Sequence, residues 1–163
     1  VEADIYALPD DLGRYDLVLI TIGVLNWMPD LPRFFQIVRG LMSPGAFLVI
    51  YETHPMLEVF NPGSANPFVP ENSYFDKTPV RIEEAITYDG SDGGAGETGY
   101  WFVHTLGEIV TACVQSGLRL QCLQEHPHLN REVEYAIYEN QTAQMPLCYT
   151  LVAEAPCVPN TKA

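Results

Sequence analysis

The chain has 163 residues, 47% apolar and 18% charged, long and apolar enough for a buried core and unlike a disordered segment. Its formal charge of −13, with only eight Lys and Arg, argues against a nucleic-acid surface and suits a neutral or cationic small molecule better. No apolar run approaches the about 20 residues of a membrane span, and no basic-then-apolar leader stands at the N-terminus, so no membrane partner is expected.

Residues 1–9, VEADIYALP, read as a strand end or a loop, closed by Pro9 and the turn-rich DDLG. LVLITI at 17–22 is apolar on both faces and rich in β-formers, which predicts an interior parallel strand with helices on both sides. Asp30 is an N-cap and Pro32 falls in the first helical turn. Phe34, Phe35, Val38 and Leu41 then recur at helical spacing, predicting a helix to about Met42. Pro44-Gly45 stops it, and AFLVIY at 46–51 is a second buried strand, joined to the first by a right-handed crossover.

Pro55, Pro62, Pro67, Pro70 and Pro79 interrupt residues 53–79, where one short helix at 56–60 is expected; so long an irregular stretch suggests a lid or insertion. A strand at 80–88, a turn in DGSDGGAGE and a returning strand at 100–104 make a hairpin. Together these give a lid and hairpin insertion at 53–104 within a single domain. Thr105 caps a helix over 106–116, with Glu108 placed for a capping box, and Gly117 ends it. The last strands, 118–123 and 148–153, are expected to pair antiparallel. The fold class is α/β, mostly parallel with the last strand antiparallel.

Gly94, Gly96 and Gly99 spell GxGxxG, but the flanks are an acidic turn and a strand. A dinucleotide loop needs a strand before it and a helix after it, so a hairpin turn is the reading. GxxxxGK[ST], GxSxG and HExxH are absent, which removes kinase-like, esterase-like and zinc-protease chemistry. His126 and His128 form HxH with no third ligand at a recognisable spacing, so a surface turn is expected and no metal. Cys113, Cys122, Cys148 and Cys157 contain no CxxC pair and read as buried free thiols, in a reducing, cytoplasmic setting. His54 follows the second buried strand, at the edge where α/β sheets bind ligands. His104 precedes a helix and is flanked by Tyr100 and Trp101. Each is open to two readings: orienting or deprotonating a substrate hydroxyl, or serving as a hydrogen-bonded structural His.

Several segments, in order, resemble class I S-adenosylmethionine-dependent methyltransferases. They are DIYALP at 4–9, YDLV at 15–18, GVLNW at 23–27, RGLMSPG at 39–45, WFVHTLG at 101–107 and Pro146-Leu147 before the last strand. The last two are similar to the small-molecule branch of that family. The resemblance implies a Rossmann-like sheet, S-adenosylmethionine as cofactor and methyl transfer to a small-molecule acceptor. It implies that Asp4 and Ile5 meet the adenine and that Thr21, Ile22 and Gly23 line the cofactor edge. Trp27 would wall the acceptor pocket with His54, Tyr100 and Trp101 near it, and His104 would be the catalytic base. The residues alone leave Asp4 open as a solvated turn carboxylate, Gly23 as a turn residue and Trp27 as a packing residue.

The family's glycine-rich loop, its ribose-binding acid and its first strands would all lie before Val1, so the chain corresponds to the C-terminal half of such a domain. Three expectations follow. The strand at 17–22 becomes an apolar edge that recruits a partner, either a second copy in a homodimer or an N-terminal half. This polypeptide alone binds S-adenosylmethionine weakly or not at all. The alternative function is a non-catalytic, truncated remnant that self-associates through that edge. A nucleotide-linked reductase, which needs an upstream GxGxxG, is the remaining rival.

Overall fold

A computed structural model describes residues 2–84, 95–130 and 133–157. Strand β1 (Tyr15–Thr21) runs parallel to β2 (Met42–Thr53), with Leu17 opposite Phe47 and Thr21 opposite Tyr51. Between them lies helix α1 (Leu31–Gly40). The Asp30 carboxylate accepts from the Arg33 amide at 3.0 Å, which satisfies one of the free N–H groups of the first turn. Leu31, Phe34, Phe35 and Val38 are its buried stripe. The helix ends two residues before Met42, because Met42 already pairs with Tyr15 as the first residue of β2. The second strand is therefore longer than its apolar run: Gly45 bends at φ 82°, and its amide reaches the Ala155 carbonyl at 2.7 Å.

The main sheet has the order β1-β2-β6-β5, with β6 (Cys148–Glu154) antiparallel to both β2 and β5 (Arg119–His126). The expected antiparallel pairing of the last two strands is present. Helix α2 (Leu106–Gln115) carries the complete capping box of Thr105 and Glu108. Gly117, at φ 88°, follows it.

Alternation along the strands decides where the core lies. Ile20, Leu48, Ile50, Leu151 and Ala153 point to one face and pack with Phe34, Phe35, Ile109 and Cys113 of the helices. The opposite face of β1 is open: Leu17 is 60% exposed, Leu19 61% and, beside them, Phe47 44%. The expectation of helices on both faces is thus corrected for the described residues. Both helices carry their buried stripe to the same side of the sheet. Strand β1 is an edge of this sheet.

A second, two-stranded antiparallel sheet joins β3 (Val80–Glu84) to β4 (Ala95–Trp101). The return strand begins five residues before Tyr100, so Gly96 and Gly99 are strand residues and not a phosphate loop. The acidic turn itself, with Gly94, lies outside the described residues. The short helix expected at 56–60 is a 3₁₀ turn, Pro55–Val59. Its Leu57 packs with Tyr138 and Leu147 in a small core of their own. All four cysteines are free, but only Cys113 and Cys148 are buried; Cys122 and Cys157 are exposed, which corrects the reading of uniformly buried thiols. No helix among the described residues is long and apolar enough to cross a membrane.

Candidate functional site

The carboxyl ends of β1 and β2 lie side by side, and the chain beyond each strand turns back over the sheet's end. After Thr21, Gly23 takes φ 84°, a left-handed conformation that costs glycine little and other residues more. A 3₁₀ turn, Leu25–Trp27, follows. Here the Glu52 carboxylate, near the end of β2, accepts from three consecutive amides: Gly23 at 2.7 Å, Val24 at 2.9 Å and Leu25 at 3.3 Å. Glu52 is only 3% exposed. Burial pushes its pKa up to about 7, against the pull of those amides toward the ionised form.

The hairpin closes over this loop. Trp101 meets Trp27 edge to face with ring centroids 5.3 Å apart, and Trp101 Nε1 donates to Glu58 at 3.1 Å. Burial raises the Glu58 pKa, and the bond from Trp101 opposes it. Gly99 lets the two tryptophans meet: a Cβ there would stand 2.9 Å from Trp27 Cζ3. Asn26 ties the loop to the chain leaving the hairpin, donating from Nδ2 to the Phe102 carbonyl at 3.1 Å.

His104 follows. Its Nε2 lies 2.8 Å from the Met28 carbonyl, which can only accept, so Nε2 carries the proton. Burial lowers the pKa of the ring, which is therefore neutral near pH 7 with the lone pair on Nδ1. His104 borders two spaces. One is a cleft of about 740 Å³ between the starts of α1 and α2, lined by Asp30, Leu31, Phe102, Thr105 and Thr111 among others. That volume suits a small-molecule ligand. The other is a cavity of about 10 Å³, lined by Glu52, Glu58 and Tyr149 with Asn26, Thr53 and Ile109.

The remaining predicted residues take varied places. Asp4 caps a 3₁₀ turn, Ile5–Ala7, accepting from the Tyr6 amide at 2.8 Å, and Ile5 is half-buried against the main core. That turn is pinned to the start of α1, since the Tyr6 hydroxyl donates to the Asp30 carbonyl at 3.1 Å and Arg33 lies over the Tyr6 ring. Asp4 and Ile5 are thus tethered to the segment that leaves β1. Thr21 is exposed, and Ile22 and Gly23 are half-buried. Tyr100 is 50% exposed, on the opposite side of β4 from Trp101. His54 is fully engaged: Nδ1 accepts from the Met56 amide at 3.0 Å and Nε2 donates to Glu125 at 2.9 Å. His126 and His128 stack at 5.0 Å, and no group of three His, Cys, Asp or Glu among the described residues could hold a metal.

Sequence reasoning missed Glu52, Glu58 and Tyr149. Glu52 did carry a signal, as an acid that ends an otherwise apolar strand run. An ionisable residue there must find partners or change its pKa.

Of the residues expected at an adenosyl cofactor, Asp4, Ile5, Thr21, Ile22 and Gly23, the last stands beside open space. The space a Cβ would fill at Gly23 has no atom within 4 Å, so a ligand can approach the backbone there. The amides of Gly23 to Leu25 are committed to Glu52, so the loop offers such a ligand a glycine surface and not free donors.

No family model matches the chain, and no curated protein matches it. Solved structures do match. An S-adenosylmethionine-dependent methyltransferase from Listeria monocytogenes is 12% identical with a TM-score of 0.63, over 93% of this chain and 66% of that one. Another from Mesorhizobium loti is 18% identical, again with a TM-score of 0.63, over 93% and 67%. A glycopeptide N-methyltransferase solved with S-adenosylmethionine is 16% identical with a TM-score of 0.53, over 94% and 59%. The α/β fold with its mixed sheet is therefore that of methyltransferase domains. The chain spans about two thirds of the length of the first two structures.

Proposed function

We propose that this chain forms the C-terminal half of an S-adenosylmethionine-dependent methyltransferase that acts on a small-molecule acceptor. The observation that carries the reading is the fold shared with solved methyltransferases, to which open space at Gly23 after β1 and a cleft of about 740 Å³ bordered by His104 add support. When bound, the cofactor would supply an electrophilic methyl group, so the protein's task is to position an acceptor and manage its proton. Asp4 and Ile5 would hold the adenine, and Thr21, Ile22 and Gly23 the adjoining part of the cofactor. Trp27, packed against Trp101, walls the acceptor side and excludes water, whereas Tyr100 faces the other side of β4 and His54 is buried with both nitrogens engaged. His104 holds a lone pair on Nδ1 because Met28 fixes the proton on Nε2, so it accepts a proton from an acceptor hydroxyl or amine. The negative chain favours a neutral or cationic acceptor. A cytoplasmic setting is part of this reading.

The alternative is a non-catalytic chain that self-associates through β1, and the exposure of Leu17 and Leu19 at an open edge favours it. Titration of the isotope-labelled chain with S-adenosylhomocysteine, read by backbone amide NMR, separates the two. The methyltransferase reading expects weak binding with shifts at Ile5, Thr21, Ile22 and Gly23. Saturation of the chain alone at sub-micromolar ligand would contradict the half-site, and no shift at millimolar ligand would leave the self-associating reading.

A further inference from the structure

Three oxygen-bearing side chains from three elements converge on one small space at the core of this region. Glu52 comes from β2, Glu58 from the turn Pro55–Val59 and Tyr149 from β6, and all line the cavity of about 10 Å³. Glu52 is 3% exposed and Tyr149 0%. The Tyr149 hydroxyl has no hydrogen-bond partner among the described residues. A buried hydroxyl without a partner forfeits its hydration, which a protein normally restores with a side chain or an ordered water. A space of about 10–15 Å³ admits one water and nothing larger.

We propose that Glu52 is a positioning residue for the loop after β1, and that a single buried water joins its carboxylate to the Tyr149 hydroxyl. Three consecutive amides pointing at one carboxylate form a concave anion site, and Gly23's left-handed φ followed by Val24's right-handed helical angles makes the curvature. The loop so held carries Gly23 at one end and Trp27 at the other. The titratable groups facing Glu52 are Glu58, His104 and Tyr149, while α2 presents the apolar Ile109. Glu58 is held by Trp101 and His104 by Met28, which leaves Glu52 as the group bonded to the amides of Gly23, Val24 and Leu25. Tyr149 then has a role that its burial alone does not explain: its hydroxyl, through the water, steadies the ionised carboxylate. The inference does not depend on methyl transfer, because none of its readouts uses a cofactor.

The chain contains two tryptophans, both at this site, so Trp101→Phe leaves Trp27 as sole reporter on the held loop. Its fluorescence is expected to titrate once, near pH 7, as protonation removes the anion that the amides bind. The step is expected to persist when Glu58→Gln is added and to vanish with Glu52→Gln. Tyr149→Phe keeps the ring and removes the hydroxyl, and is expected to move the midpoint upward, because the ionised form loses a hydrogen bond. A step that survives Glu52→Gln, or disappears with Glu58→Gln, overturns the positioning role. A midpoint unmoved by Tyr149→Phe overturns the water. Glu52→Asp, whose shorter arm withdraws the carboxylate from the amides, guards against misfolding of the Gln variant: unaltered Trp27 emission at alkaline pH in that protein would also overturn the role.

Discussion

Trp27 and Gly99 depend on each other as few residue pairs here do. A methyl group at position 99 would stand 2.9 Å from Trp27 Cζ3, closer than carbon atoms pack, and the ring also packs edge to face against Trp101. Gly99→Ala is therefore expected to cost about 1–3 kcal/mol, the range for overfilling a packed site. It is also expected to open the Trp27–Trp101 contact. Urea unfolding followed by tryptophan emission checks both, and an unchanged midpoint and spectrum would mean that the ring has room to move. In sequence, Gly99 belonged to a false phosphate-loop match, and only its pairing in β4 reveals a steric purpose. His54 teaches the reverse lesson. Its place after a buried strand made it a candidate for chemistry, yet the amide of Met56 and the carboxylate of Glu125 occupy both nitrogens. His104 differs in its partners, which are backbone groups: the Met28 carbonyl lies 2.8 Å from Nε2, and Leu25 also acts on the ring.

At the scale of elements, the helices were legible because their signals are local. Asp30 and Thr105 each cap the helix that follows, and the Thr105 and Glu108 box forms in full. The Thr105 hydroxyl accepts from the Glu108 amide at 3.1 Å, and Glu108 returns to the Thr105 amide at 2.8 Å. Thr105→Ala is expected to lower stability by about 1 kcal/mol, the usual cost of a lost N-cap. Thermal or urea denaturation checks it, and Thr105→Ser is expected to restore most of the loss. Because Thr105 also lines the large cleft, the pair of variants separates a capping role from a binding one: Ser keeps the cap and changes the cleft by one methyl. Strand limits were less legible. The second strand begins at Met42, through Pro44 and Gly45, and β4 begins at Ala95, through two glycines. Neither stretch has strand propensity, and each joins its strand through long-range pairing with an irregularity in the register: Met42 opposite Tyr15 before Phe47 opposite Leu17, and Ala95 opposite Glu84 before Gly99 opposite Ile82.

For the whole molecule, the main consequence is asymmetry. Among the described residues, α1 and α2 share one face of the four-stranded sheet, and β1 stands at its edge with Leu17 and Leu19 exposed on the other face. Such an edge is a template for pairing. The wild-type chain is expected to associate at micromolar concentration, and the double substitution Leu17→Lys with Leu19→Lys to make it monomeric. Both side chains are mostly exposed, so stability is expected to change by no more than about 0.5 kcal/mol. Sedimentation velocity reads the first effect and urea unfolding the second; a monomeric wild type removes the self-associating reading. The sequence by itself determined the α/β unit of β1, α1 and β2, both helix caps, the antiparallel end of the sheet and the apolar character of the edge strand. Those depend on spacing, capping and β-propensity, which act over a few residues. Only the tertiary structure decided which face is covered, and only it brought Glu52, Glu58, His104 and Tyr149 around one water-sized space. Residues 52 and 149 are nearly one hundred positions apart in the chain. They become neighbours because β6 inserts between β2 and β5, a choice made by long-range strand pairing and core packing that no local pattern encodes.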